Sequence, residues 1–159
     1  MASLATIRAD ECSQPPLSPC YVSPASSAVM PSSPIRVVAA EIDRGGAYLI
    51  TQRRPEAALP LLWEFPGGRV LASESDGDAL RRTLRDRLDV DVQMGHRVLQ
   101  VTHAYEGYSL EMVVYRCGIV GEPSPRRVHA LRWVRPEEFG DYPFPGADQQ
   151  TVDALLKDT

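Results

Sequence analysis

The chain has 159 residues, of which 24% are charged, and a formal net charge of −4. This length is enough for one domain with a proper core, and the weakly acidic balance argues against binding to a nucleic-acid polymer. No apolar run approaches the ~20 residues of a membrane-spanning helix, so we expect no membrane segment.

The start of the chain and its cysteines indicate a compartment. The first residues form no apolar signal core and soon include Asp10 and Glu11. Three cysteines, at positions 12, 20 and 117, have no metal-ligand spacing and cannot all pair in disulfides. We therefore expect a cytoplasmic protein with reduced thiols.

Residues 1–33 differ in composition from the rest, with prolines at positions 15, 16, 19, 24 and 31 among many serines and alanines. Such a segment has too little apolar surface to offset its ordering entropy, so we predict a disordered tail before a folded domain at residues 34–159. Two interpretations stay open. The tail is an inert leader, with Met30 as an alternative translation start, or it binds a protein partner.

The first half of the domain predicts two strands and a helix. Strands are expected at residues 35–42 and 47–51, joined by a turn at 43–46. A helix is expected at residues 76–88, because leucines recur there at every fourth position, 80, 84 and 88. Ser75 and Asp78 have the spacing of a capping box at its start.

The second half predicts strands at residues 97–105, 108–117 and 130–134, a loop at 118–127 and a helix at 148–157. Strands and helices mix without strand–helix–strand alternation. The fold class is therefore α+β with a mixed sheet rather than a doubly wound sheet.

A motif with fixed spacing runs from Gly68 to Val90. Gly68 is followed by five residues and Glu74, and then by seven residues and Arg82, with the aliphatic residue Leu84 two positions further on. This spacing resembles the Nudix box: glycine, five residues, glutamate, seven residues, then Arg-Glu-U-x-Glu-Glu-x-Gly-U, where U is a bulky aliphatic residue. The resemblance is to the MutT-like branch of that family.

Three further blocks are similar to that branch and occur in its order: residues 62–68, residues 131–138 and residues 142–148. Together with the box they extend the resemblance over residues 35–158. It implies a Nudix α/β/α sandwich, in which a mixed sheet lies between the box helix and a C-terminal helix.

The resemblance also implies an activity, the hydrolysis of a nucleoside triphosphate, modified or unmodified, to monophosphate and pyrophosphate. A triphosphate carries about four negative charges, which Mg²⁺ or Mn²⁺ neutralises while activating water. By resemblance, the catalytic positions are Glu74, Arg82 and Asp86, the metal positions are Gly67 and Asp86, and the substrate-binding positions are Arg53, Phe65, Gly67, Gly68 and Asp148.

Four positions depart from the family's carboxylates. Glutamates of the family are replaced by Thr83, Asp86, Arg87 and, before the late strand, Arg127. Thr83 cannot act as a general base, and Arg87 is permanently charged. Two like charges ~4 Å apart at an effective dielectric near 20 repel by about 4 kcal/mol, so we predict weak or absent metal binding and weak or lost catalysis.

Other interpretations remain open. Arg87 and Arg127 could bind phosphate directly, which would make the protein a non-catalytic nucleotide-binding or regulatory module. A protein-interaction scaffold without a ligand is the third possibility. Asp148 reads a base, caps the last helix or does both. Glu74 is either a remaining acid of the site or an ion-pair partner of Arg82, and we favour the second role. Asp89 stands at the family's glycine and would strain the end of the helix if that position needs a positive φ, although aspartate tolerates it better than most residues.

Overall fold

The computed structural model describes residues 33–158. Residues 1–32 of the predicted tail lie outside the described residues. The elements in chain order are β1 (Ile35–Glu41), β2 (Asp43–Arg44), β3 (Ala47–Gln52), β4 (Trp63–Glu64), β5 (Gly67–Arg69), α1 (Asp76–Leu88), β6 (Asp91–Tyr105), β7 (Tyr108–Val120), β8 (Ala130–Val134), a 3-10 helix (Pro136–Asp141) and α2 (Gly146–Lys157).

Two sheets form the centre of the domain. The first has the order β5-β1-β7-β6, in which β1 and β7 are parallel and the other pairs antiparallel. In the second, β3 pairs antiparallel with β2, β4 and β8. The mixed-sheet α+β prediction is therefore confirmed.

The core has two clusters, one associated with each α-helix. Val38 and Ala40 of β1 belong to the cluster that contains Leu80 and Leu84 of α1. Ala39 belongs to the cluster that contains buried residues of α2. Because successive strand residues point to opposite faces, this alternation places the two helices on opposite sides of β1.

Helix α1 begins and ends as its sequence predicts. The Ser75 hydroxyl accepts a hydrogen bond from the Asp78 backbone N–H at 3.1 Å and donates one to its carboxylate at 2.8 Å. At the C-terminus, Asp89 adopts the left-handed conformation with φ of 58°. Its N–H donates to the Arg85 carbonyl at 3.1 Å. Aspartate tolerates this conformation better than most residues, so the helix ends without the family's glycine.

Several predicted boundaries are wrong. Residues 43–44 form β2, leaving Gly45 and Gly46 as the turn, both with positive φ. The loop expected at residues 118–127 begins later, because Asp91 pairs with Val120 and extends β6 and β7 beyond the predicted strands. Among residues 33–158, no helix is long and apolar enough to span a membrane.

Candidate active site

A cleft of about 330 Å³ lies beside β1 and β5. It brings together all the residues that the resemblance assigned to substrate binding. These are Arg53, Phe65, Gly67, Gly68 and Asp148. They come from the end of β3, the β4–β5 segment and the first turn of α2, so only the folded chain places them on one surface.

Glycine at position 67 lets β5 approach β1 closely. A Cβ on Gly67 would lie 1.9 Å from the Val38 carbonyl oxygen and 2.8 Å from the Ala39 Cα. Both contacts involve backbone that cannot move aside, so any side chain here would push β5 away from β1. The cleft wall therefore depends on this glycine.

Asp148 lies at the α2 end of the cleft and is 7% exposed. Its Oδ1 accepts a hydrogen bond from the Phe65 backbone N–H at 3.2 Å. Burial, with the neighbouring Glu64 carboxylate second, raises the pKa of Asp148 to about 8. At neutral pH the side chain is thus mainly a neutral acid, which offers one donor as well as an acceptor. The alternative prediction that Asp148 caps the helix is wrong, since α2 begins at Gly146 after the N-cap Pro145.

The Phe65 ring forms a buried wall of the cleft. It is 2% exposed, and its centroid lies 6.0 Å from that of Phe144 and 6.1 Å from that of Phe139. A ring held in this way offers a base little face for stacking, although Phe65 lines the cleft. Met112 is likewise both core and cleft lining.

Two tyrosines that the sequence reasoning missed also line the cleft. Tyr105 and Tyr108 flank the β6–β7 turn, with stacked rings whose centroids are 5.1 Å apart. The Tyr105 hydroxyl accepts a hydrogen bond from the Ala147 N–H at 3.0 Å, which ties the hairpin to α2. In the sequence, these residues could have been found from the two tyrosines on either side of the Glu106-Gly107 turn.

Glu74 and Arg82 form the ion pair expected from the sequence. Arg82 Nε lies 2.7 Å from Glu74 Oε1, and Arg82 Nη2 lies 2.9 Å from Oε2. Arg82 Nη2 also donates to the Arg69 carbonyl, while Glu74 accepts from the Leu71 N–H, each at 2.9 Å. These contacts hold the box loop against α1, and neither residue lines the cleft.

A second depression, of about 270 Å³, adjoins the cleft and is lined by three of the four altered positions, Asp86, Arg87 and Arg127. Arg87 Nη1 donates to Glu64 Oε1 at 3.3 Å, and Arg53 Nη1 donates to Glu64 Oε2 at 2.8 Å. Arg127 Nε lies 3.4 Å from Asp86 Oδ1. Arg87 and Arg127 thus share one depression, as direct phosphate binding by both would need, but each already faces a carboxylate.

Glu64 is the central residue that sequence reasoning missed. Burial raises its pKa, while the positive charges of Arg53 and Arg87 act in the opposite direction. The sequence clue to Glu64 was its place in the segment 62–68, which leads into the box. Its partner Arg87 is 23 positions away, so the pairing could not be read from local spacing.

The residues present do not fit a divalent cation. Thr83 is 4% exposed, and its hydroxyl donates to the Ala79 carbonyl at 2.7 Å. Glu64 and Asp86 each face a guanidinium, and a fixed positive charge repels a cation. Within the described part of the chain, no three His, Cys, Asp or Glu side chains are grouped so as to hold a metal. The predicted metal position Asp86 shares its depression with one other carboxylate, that of Glu64, which already pairs with Arg53 and Arg87. The other predicted metal position, Gly67, offers only backbone oxygen.

Comparison with known proteins identifies the family. The NUDIX domain model matches residues 37–154. The CTP pyrophosphohydrolase of Escherichia coli is 33% identical over 123 residues, which cover 77% of this chain and 91% of that protein. A putative 8-oxo-dGTP diphosphatase 2 of Mycobacterium tuberculosis is 35% identical over 129 residues, covering 76% and 87%.

The fold agrees with that of solved relatives. The crystal structure of a MutT NUDIX hydrolase from Burkholderia pseudomallei superposes with a TM-score of 0.68 at 24% identity, covering 78% of this chain and 99% of that one. The chain belongs to the Nudix domain family, as its box predicted, and its homologues include pyrophosphohydrolases.

Proposed function

We propose that this protein binds a nucleoside triphosphate or a related nucleotide in the cleft, and that it hydrolyses the nucleotide to monophosphate and pyrophosphate weakly or not at all. The observation that carries the proposal is the Arg87–Glu64 ion pair at 3.3 Å. A guanidinium occupies a box-helix position that carries a glutamate in the family, and it engages the nearby buried carboxylate.

The cleft supports nucleotide binding. A neutral Asp148 presents one donor and one acceptor, which suit a base edge that carries an acceptor beside a donor. Cytosine offers such an edge, and so does a guanine-type base. The two curated relatives are named for CTP and 8-oxo-dGTP, so these two nucleotides are the first substrates to test.

The altered helix supports weak catalysis. A general base typically contributes ~10²–10⁴ in rate, and neither the buried Thr83 hydroxyl nor Arg87 can serve as one. Loss of the electrostatic stabilisation that Mg²⁺ or Mn²⁺ supplies removes several kcal/mol more. We expect any hydrolysis to be at least ~10³-fold slower than that of a competent relative.

The test measures hydrolysis and binding separately in the full-length protein. Pyrophosphate release from CTP and 8-oxo-dGTP is followed with Mg²⁺ or Mn²⁺, with the Escherichia coli CTP pyrophosphohydrolase assayed in parallel. Calorimetry then measures binding of the same nucleotides. Binding without comparable turnover supports the proposal. Turnover near ~1 s⁻¹, a usual enzyme rate, contradicts weak catalysis, and failure of every nucleotide to bind favours the scaffold interpretation.

A further inference from the structure

Resting on the proposed nucleotide binding, we propose that the depression beside the cleft holds the phosphate chain of the nucleotide without a divalent metal. Four arginines that line it provide the contacts: Arg53, Arg54, Arg87 and Arg127. In this arrangement guanidinium groups take the place of the metal ion as the positive charge that faces the phosphates.

The geometry connects the two parts of the site. Arg53, Glu64 and Arg87 line both the cleft and the depression, so they form a shared wall. A nucleotide whose base lies near Asp148 enters the depression by crossing this wall. Its phosphates then meet Arg53 and Arg87 first, and Arg127 beyond them.

The charge of the depression suits an anion. Its lining contains four guanidinium groups against the carboxylates of Glu64 and Asp86, a formal excess of two positive charges. A nucleoside triphosphate without metal brings about four negative charges, whereas its Mg²⁺ complex brings about two. The excess positive charge that repels a free cation therefore favours the nucleoside triphosphate without metal over its Mg²⁺ complex.

The arginines retain donors for a ligand. Arg87 donates one side-chain hydrogen bond, to Glu64, although a guanidinium has five N–H groups. The side chains of Arg127 and Asp86 are 66% and 49% exposed, and they meet only through Arg127 Nε at 3.4 Å. Exposed pairs of this kind contribute little, so a phosphate oxygen can displace Asp86 and form a bidentate contact with Arg127.

The primary experiment is calorimetry on the full-length protein with CTP, 8-oxo-dGTP and inorganic triphosphate as probes. Each is titrated in EDTA and again with excess Mg²⁺. We expect at least one nucleotide to bind in EDTA no more weakly than with Mg²⁺. Inorganic triphosphate should compete with it, and the affinity should fall as salt rises.

Two pairs of neighbouring arginines provide matched controls. Arg127→Gln is compared with Arg126→Gln, because Arg126 pairs with Asp89 and does not line the depression. Arg87→Gln is compared with Arg85→Gln, since Arg85 lies on the same helix and pairs with Asp91 instead. The first variant of each pair should weaken binding in EDTA about tenfold or more, the scale of one charge-assisted hydrogen bond, and the second should leave it within about twofold.

The outcomes separate this proposal from the proposed function. Binding that requires Mg²⁺ overturns the metal-free site but leaves nucleotide binding intact. The absence of binding in both conditions overturns both. Equal losses in each matched pair show that only overall charge matters, which also overturns the site. If Arg87→Gln fails to fold, the exposed Arg127 decides the question alone.

Discussion

Thr83 and Gly68 are in direct contact between α1 and β5. A Cβ on Gly68 would lie 2.6 Å from Thr83 Cγ2 and 3.3 Å from Thr83 Cβ. The buried Thr83 hydroxyl donates its one proton to its own helix at Ala79, so the side chain has no donor left for a ligand. The residue that replaces a family glutamate has therefore become part of the packing, and the box glycine remains necessary to the fold.

This contact predicts a rescue. Gly68→Ala should lower the free energy of unfolding by about 1–3 kcal/mol, the usual cost of overpacking. Adding Thr83→Ser removes the Cγ2 methyl and should restore part of that loss, as a double-mutant cycle in urea would measure. Gly67→Ala is the control, because its Cβ would meet the Val38 carbonyl at 1.9 Å and not Thr83. Thr83→Ser should therefore not restore the stability that Gly67→Ala loses. Additive effects of Gly68→Ala and Thr83→Ser would contradict this account.

The Glu74–Arg82 pair predicts a dependence on acid. Hydrogen bonds from Arg82 and then from the Leu71 N–H lower the pKa of Glu74 from 4.5 to about 2. Between these two pKa values, the unfolded chain therefore binds a proton at Glu74 that the folded protein does not bind. The stabilisation is fully present above pH 4.5 and is lost as pH falls towards 2.

Glu74→Gln should accordingly reduce the free energy of unfolding at neutral pH, and the difference from wild type should shrink below pH 4.5. Chemical denaturation at a series of pH values measures this difference. Glu106→Gln, on the exposed turn between β6 and β7, is the control. A Glu74→Gln penalty that stays constant down to pH 3 would show that the charge of Glu74 is not responsible.

The sequence predicted the elements whose signals are local. The bounds of α1 follow from a leucine every fourth residue and from the cap at Ser75, both of which lie within one segment. The first part of β6 was missed because its residues are largely exposed and its pairing register shifts between Met94 and Leu99. An interrupted register removes the alternation that predicts a strand.

The site was predictable where a motif fixes it. The Glu74–Arg82 pair follows from box spacing, and the structure has it. The pairing of Glu64 with Arg53 and Arg87 depends on bringing β4 to α1, which only the tertiary fold does. The neutral state of Asp148 likewise arises from burial, which no spacing in the sequence specifies.

Asp148 predicts a loss of stability at high pH. Burial and Glu64 raise its pKa from 3.8 to about 8, so the folded protein holds a proton that the unfolded chain releases between these values. This contribution is fully present below pH 3.8 and is lost as pH rises through about 8. Asp148→Asn has no such proton and keeps an oxygen that can accept from the Phe65 N–H.

The variant should therefore gain stability relative to wild type as pH rises from 6 to 9, a window that spans the pKa of about 8. Denaturant unfolding of both proteins measures the difference in their free energies of unfolding. The titration of groups that both proteins share cancels in this difference. A constant difference over this window would mean that Asp148 is already ionised at pH 6. Nucleotide binding to Asp148→Asn should also be less sensitive to pH, because an amide keeps its two N–H donors and its acceptor oxygen over this range.

The last prediction reverses the charge of the depression. In the wild type, Glu64 faces Arg87 and Asp86 faces Arg127. Arg87→Glu combined with Arg127→Glu replaces both arginines and places two new carboxylates beside Glu64 and Asp86. Without metal, like charges ~4 Å apart repel by about 4 kcal/mol at an effective dielectric near 20, so the variant should be less stable than wild type in EDTA.

Excess Mg²⁺ or Mn²⁺ should then raise the melting temperature of this variant but not that of wild type, because a ligand that binds only the folded state stabilises it. Arg85→Glu with Arg126→Glu changes the charge equally on neighbouring residues that do not line the depression and should not respond. An unresponsive Arg87→Glu, Arg127→Glu variant would show that the arginines are not what excludes the metal. Hydrolysis should still require Thr83→Glu, since a bound cation supplies no general base.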